Sequence, residues 1–234
     1  MLKRIPNMDN LPFNISLLFA ITTMFTVWFF YRAAGKPAIL LLVIFAWMAF
    51  QSLLALSGFY THTQTMPPRF LLMVLPPLVT IVLLLLTPAG KRWLGKLDIP
   101  TLTFLHTIRI PVEIVLWLLF IHKKIPQLMT FEGRNFDILA GISAPLICYL
   151  LFIKKIKHTR ILFWWNTACL LLLLNIVINA ALSAPSPVQQ FAFDQPNTAI
   201  LYFPFNWLPS VVVPLVLLSH LSVLQRIMKQ KSGV

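Results

Sequence analysis

The sequence predicts an all-α membrane protein, a single bundle of seven transmembrane helices, and three observations carry that prediction. Hydrophobic residues make up 59% of the 234-residue chain against 11% charged, with a mean hydropathy of +0.83. A water-soluble domain of this size has too little interior to hide that much apolar surface. The apolar residues fall into runs of bilayer-crossing length separated by short polar connections. The basic residues, 19 Lys and Arg against 6 Asp and Glu, collect in those connections. There they set orientation and meet anionic lipid headgroups. Nucleic acid is excluded as a partner, because no basic patch is interleaved with aromatics.

The first helix is expected at residues 13–31. Lys3 and Arg4 before it resemble the start of a signal peptide, but the run exceeds a usual signal core and reads as a retained first span. Thr22, Thr23 and Thr26 are tolerable inside it, since each hydroxyl can bond a carbonyl one turn back. The turn Arg32–Pro37 leads to the second span, 38–60, with Gln51 as its strongly polar residue. The third, 70–87, contains Pro76-Pro77 and is expected to bend or break there. The fourth runs over 102–122, the fifth over 136–153 and the sixth over 161–183 with Asn175 and Asn179 on one face. The connection 185–206 holds no Lys or Arg. It ends in Tyr202, Phe203, Phe205 and Trp207, an aromatic group suited to the membrane interface. The seventh span is 208–224. No separate soluble domain is expected within 1–234.

An odd number of spans puts the termini on opposite sides. With the N-terminus outside, the inner segments hold Arg32, Lys36, Lys91, Arg92, Lys96, Lys154, Lys155, Lys157, Arg160, Arg226, Lys229 and Lys231. The outer segments hold Lys3, Arg4, Arg69, Lys123, Lys124 and Arg134. That bias favours a cytoplasmic C-terminus in the cell (inner) membrane. Short matches, such as Ala55-Leu56-Ser57 with Ala181-Leu182-Ser183, suggest a parallel 3+1+3 repeat around the fourth helix. The proline signatures of transporters built from triple-helix repeats are not evident.

The fourth span organises the chain. His106, Arg109 and Glu113 follow i, i+3, i+7 spacing and share one helical stripe. At ~1.5 Å per residue, Glu113 falls roughly 16 Å into the span and Arg109 about 10 Å. An ionised group at such depth costs on the order of 3 kcal/mol, so intramembrane charges mark ion pairs, proton relays or substrate pathways. Pro111 lies between the two charges and predicts a kink with a free carbonyl.

Gln51, Arg109, Glu113, Asn175 and His220 are the expected pathway residues, with Glu113 accepting a proton or cation and Arg109 as its partner or an anion-binding group. His220 brings a side chain that titrates near neutral pH. Glu132, Arg134 and Asp137, with Asp194, form an expected outer-face cluster. His106 and His220 are poor candidates for a shared metal or haem, lacking HxxxH or ExxH spacing, and no cofactor is expected. Cys148 and Cys169 fall inside spans without CxxC spacing and read as small packing groups. No span carries a lysine for a retinal Schiff base, and hydrolase motifs are absent.

The leading expectation is a small-solute or ion transporter, proton-coupled, whose partners are the lipid bilayer, the solute and the proton. Alternatives are a membrane enzyme or cofactor carrier acting on a lipid or quinone, and a non-catalytic receptor or assembly subunit. No protein partner is legible.

Overall fold

The computed structural model describes Met8, residues 10–155 and residues 159–231. Lys3, Arg4 and Lys157, and the side chain of Lys231, which entered the charge bias, lie outside the described residues. The described chain is helical without strands: α1 (Phe13–Ala33), α2 (Ala38–Leu56), α3 (Leu71–Leu86), α4 (Pro88–Leu94), α5 (Ile99–Ile121), α6 (Ile138–Ile153), α7 (Thr159–Ser183) and α8 (Val213–Lys231). Five stretches are long and apolar enough to cross a membrane: α1, α2, α5, α7 and Leu208–Gln230, which contains most of α8. The bent pair α3–α4 makes a sixth if counted as one span, and α6 is apolar but shorter. Many large side chains on the outside are apolar, among them Leu42, Leu53, Leu139, Ile142, Leu171 and Ile178. Polar groups such as Gln51, His106, Arg109, Asn135 and Asn166 are buried. The exterior is thus apolar where a water-soluble fold is polar, while the core is apolar with polar groups held inside it, as lipid requires.

Proline and threonine decide the local geometry. Thr22, Thr23 and Thr26 each donate to the carbonyl one turn back, at 2.8–3.0 Å. α2 stops at Leu56, short of the expected Tyr60, because Gly58 adopts a left-handed φ of 72° that closes the helix. α3 stays helical through Pro76-Pro77, so of the bend or break that the sequence predicts there, no break occurs. Pro76 cannot donate to the Leu72 carbonyl, and the Gln51 amide of α2 donates there instead, at 3.4 Å. The same device recurs one turn away on α2. Pro214 withholds its donor from the Ser210 carbonyl, and Trp47 Nε1 supplies one at 3.0 Å. Neighbouring helices that re-satisfy freed carbonyls are what make proline tolerable in a span.

The break falls instead after Thr87, where the chain turns by 93° into α4. Thr87 precedes Pro88 and is driven to an extended ψ of 145°, and its hydroxyl caps α4 by accepting from Gly90 N. Pro111 acts on the turn before it. The Thr107 carbonyl loses its donor, and His106–Ile108 tightens to a 3-10 turn inside α5.

α5 is the central element, packed against α1, α6 and α8, with Leu102, Leu105, Val115 and Leu119 buried along it. Two ends of the bundle are distinguished below: a basic end carrying Lys91, Lys154 and Arg226, and a loop end carrying Ile121 and the connection 184–207. That connection is tied down over the end of α5. Thr198 Oγ1 donates to Lys124 O, Gln195 Nε2 to Ile125 O and Asn197 N to Ser183 O. The aromatic group at its end is divided between interior and exterior. Phe205 is buried against Phe19, and Trp207 Nε1 donates to Ser52 Oγ, because the chain here fills the space between α1 and α2 before entering α8. Phe203 stays exposed.

Candidate functional site

The site exists because α6 begins deep in the bundle. α5 rises to Ile121 at the loop end, and the chain then descends beside it, burying Met129, Thr130, Asn135 and Asp137 before α6 starts. Asn135 reaches the level of Glu113, to which its Nδ2 donates. Glu113 lies eight residues below Ile121, about 12 Å along the axis at 1.5 Å per residue. From there α6 runs back along α5. Gly141 sits against Ile110, where an added Cβ would meet Ile110 Cγ1 at 2.9 Å, and Cys148 Sγ donates to Pro100 O at 3.7 Å. Non-helical backbone at this depth is acceptable only when buried in protein. Asn135 helps satisfy it, donating to Met129 O and accepting from Asp137 N.

Arg109, 2% exposed and near the middle of α5, is the hub. Its Nη1 donates to Asp137 Oδ1, closing an ion pair, and lies 3.4 Å from the Cys169 carbonyl. Its Nη2 contacts His220 Nε2 at 2.8 Å. A guanidinium has only donors, so His220 Nε2 must accept, and the ring is the neutral tautomer with its proton on Nδ1. That proton goes to Asn166 Oδ1 at 2.9 Å, and Asn166 is itself oriented by donating to Leu162 O. The expected Arg109–Glu113 pair is replaced by Arg109–Asp137. Arg at i with acid at i+4 is the poorer order on a helix, and α6 delivers Asp137 directly to the guanidinium.

Glu113 therefore stands apart from that neutralised pair. It is 2% exposed; Oε1 accepts from Asn135, while Oε2 has no hydrogen-bond partner among the described residues. It lines a cavity of about 180 Å³ between the start of α3, α5, α7 and the entry to α8. Glu113 and Asp137 are the polar members of an otherwise apolar wall that includes Phe70, Met73, Leu116 and Val177.

The other expected residues sit elsewhere. Gln51 bridges α2, α3 and Tyr60, whose hydroxyl donates to Gln51 Oε1 at 2.5 Å. Burial pushes the Tyr60 hydroxyl above its ordinary ionisation range. Asn175 is exposed and ties the descending loop to α7 by donating to Arg134 O at 2.8 Å. The expected outer cluster is divided. Asp137 goes to the interior, while Glu132 accepts from Trp117 Nε1, Arg134 faces the Phe191 ring and Asp194 is exposed. His106 stacks on His220 with ring centroids 3.9 Å apart, and both its ring nitrogens are without a partner among the described residues. The stacked rings do not converge on a metal. Both His220 nitrogens are engaged, and no group of three potential ligands occurs among the described residues.

Sequence reasoning missed Asn135 and Asn166. Asn166 carried the same signal as Asn175, an amide inside an apolar run; Asn135 carried none, since it lies in a polar loop.

A family model described as a domain of unknown function, DUF8737, matches residues 67–228. No curated protein matches the chain, and no solved structure matches it.

Proposed function

The chain belongs to the DUF8737 family, and from its site we propose that it is a proton-coupled small-solute transporter in which Glu113 is the exchanging group. The observation that carries this reading is Glu113, a residue of the wall of an apolar cavity whose Oε2 is buried and unpartnered among the described residues. A carboxyl group so placed is costly unless its site uses it, and intramembrane ionisable groups of this kind serve proton and substrate pathways. Arg109 and Asp137 neutralise one another and hold the descending loop against α5. Glu113 is left to take either a proton or a solute.

Counting α3–α4 as one crossing and α6 with its descending loop as another brings the total to seven. The N-terminus is then outside and the basic end faces the cytoplasm, in the cell (inner) membrane. A second reading, carriage of a lipid or quinone, draws on the apolar lining of the same cavity. The experiment is flux in proteoliposomes under an imposed pH gradient, screened over small labelled solutes. Glu113→Gln abolishes proton-driven uptake while the protein remains folded. Uptake unchanged in that variant defeats the proposal, and a quinone or lipid co-purifying in stoichiometric amount favours the second reading.

A further inference from the structure

The charge balance around the cavity selects a class of solute, and this deepening rests on the reading of Glu113 as the exchanging group. The charged groups acting on Glu113 are Asp137 at the start of α6, which shares the cavity wall with it, and Arg109 one turn before it on α5; Cys169 on α7 and His220 on α8 meet Arg109 instead. Arg109 is committed, one terminal nitrogen to Asp137 and the other to His220. Its Nε has no partner among the described residues, but Arg109 is not among the residues lining the cavity, and an anion there would meet two carboxyl groups. His220 is neutral by its hydrogen-bond partners. Glu113 is left without an ion-pair partner among the described residues, and its Oε2 needs a donor.

The rest of the wall is hydrocarbon and thioether, which favours an apolar body over a hydrated ion. A bare metal cation would lack the oxygen ligands that replace its hydration shell. We infer that the Glu113 cavity binds one small primary ammonium cation with an apolar body. Its N–H groups donate to the Glu113 carboxylate, with Asp137 in the same wall, and its hydrocarbon part lies against Phe70, Met73, Leu116 and Val177. Cation and proton compete for the same carboxylate. Loading the solute releases the proton, and no covalent step is involved.

The test is equilibrium dialysis with the full chain in lipid nanodiscs, using labelled 2-phenylethylammonium as probe and propylbenzene as its neutral isostere. The ammonium binds saturably at one site, more weakly as the pH falls, and at least about tenfold more tightly than propylbenzene, a ratio equivalent to ~1.4 kcal/mol. Glu113→Gln loses that preference. Val177→Trp, which fills the cavity from α7 and keeps the carboxyl, loses binding of both probes; thermal unfolding of each variant establishes that it is folded. Equal affinity for the two probes, or ammonium affinity retained in Glu113→Gln, overturns the inference. Ammonium binding without flux defeats transport and leaves the site assignment standing. Proton-driven flux of another solute without ammonium binding does the reverse.

Discussion

Asp137→Asn isolates the part of the site that holds the fold together. The substitution keeps the shape of the side chain and its backbone bond to Asn135, but removes the counter-charge of a guanidinium that is 2% exposed. Breaking a buried pair by removing one partner costs about 3–5 kcal/mol, because the other charge stays buried. For a chain of this size, with roughly 2–4 °C of Tm per kcal/mol, the fall is about 6–20 °C. The double variant Arg109→Met, Asp137→Asn removes the buried charge as well. It regains most of the loss, since replacing a whole buried pair is close to neutral. Recovery stops short by ~1–3 kcal/mol, because His220 Nε2 loses its donor. Thermal unfolding in lipid nanodiscs, followed by the folded fraction after heating, reads all three. A single variant as stable as the parent chain, or a double variant worse than the single, refutes the argument that Arg109 depends on Asp137.

Three further outcomes follow from the geometry. Gln51→Leu destabilises the bundle by about 1–3 kcal/mol, because the Leu72 carbonyl and the Tyr60 hydroxyl both lose a partner. Adding Pro76→Ala restores a backbone donor to Leu72 and recovers part of that loss; unfolding curves of the three variants measure it. Tyr60 ionises less readily in the folded than in the unfolded chain. Its contribution to stability is therefore complete below about pH 10 and lost as the pH rises through its elevated folded value, a decline that Tyr60→Phe removes from the stability–pH curve. In cysteine labelling of the intact protein with a membrane-impermeant maleimide, Glu132→Cys, at an exposed position, reacts rapidly. Asn135→Cys, at a buried position three residues on, does not, because the chain has entered the bundle between them.

The membrane class, the helical positions of α1, α2 and α7, and the polar stripe of α5 were legible because hydropathy and helical spacing depend on local sequence alone. The site was legible in part. Arg109 and His220 were both singled out, and they touch, since a charge and a histidine inside apolar runs announce themselves. The partner of Arg109 was not legible. The apolar run 136–153 looks like any other span, and nothing in it says that its first residues lie at the level of Glu113 rather than at the membrane surface. From the sequence Asp137 therefore reads as an outer-face residue. Nor was it legible that the helix runs unbroken through Pro76-Pro77. Whether a proline breaks a helix depends on a donor from a neighbour, here Gln51, which no local pattern reveals. The true break, Thr87-Pro88, did carry a local signal in the form of a capping threonine before proline.

Infrared difference spectroscopy of the carboxyl C=O stretch, recorded in lipid while the pH is varied, addresses Glu113 most directly. The account predicts a protonated-carboxyl band that appears and disappears with pH, is diminished when 2-phenylethylammonium is added, and is missing in Glu113→Gln while persisting in Asp98→Asn. A band that persists in Glu113→Gln, or no titrating band at all, would contradict the claim that Glu113 is the exchanging group.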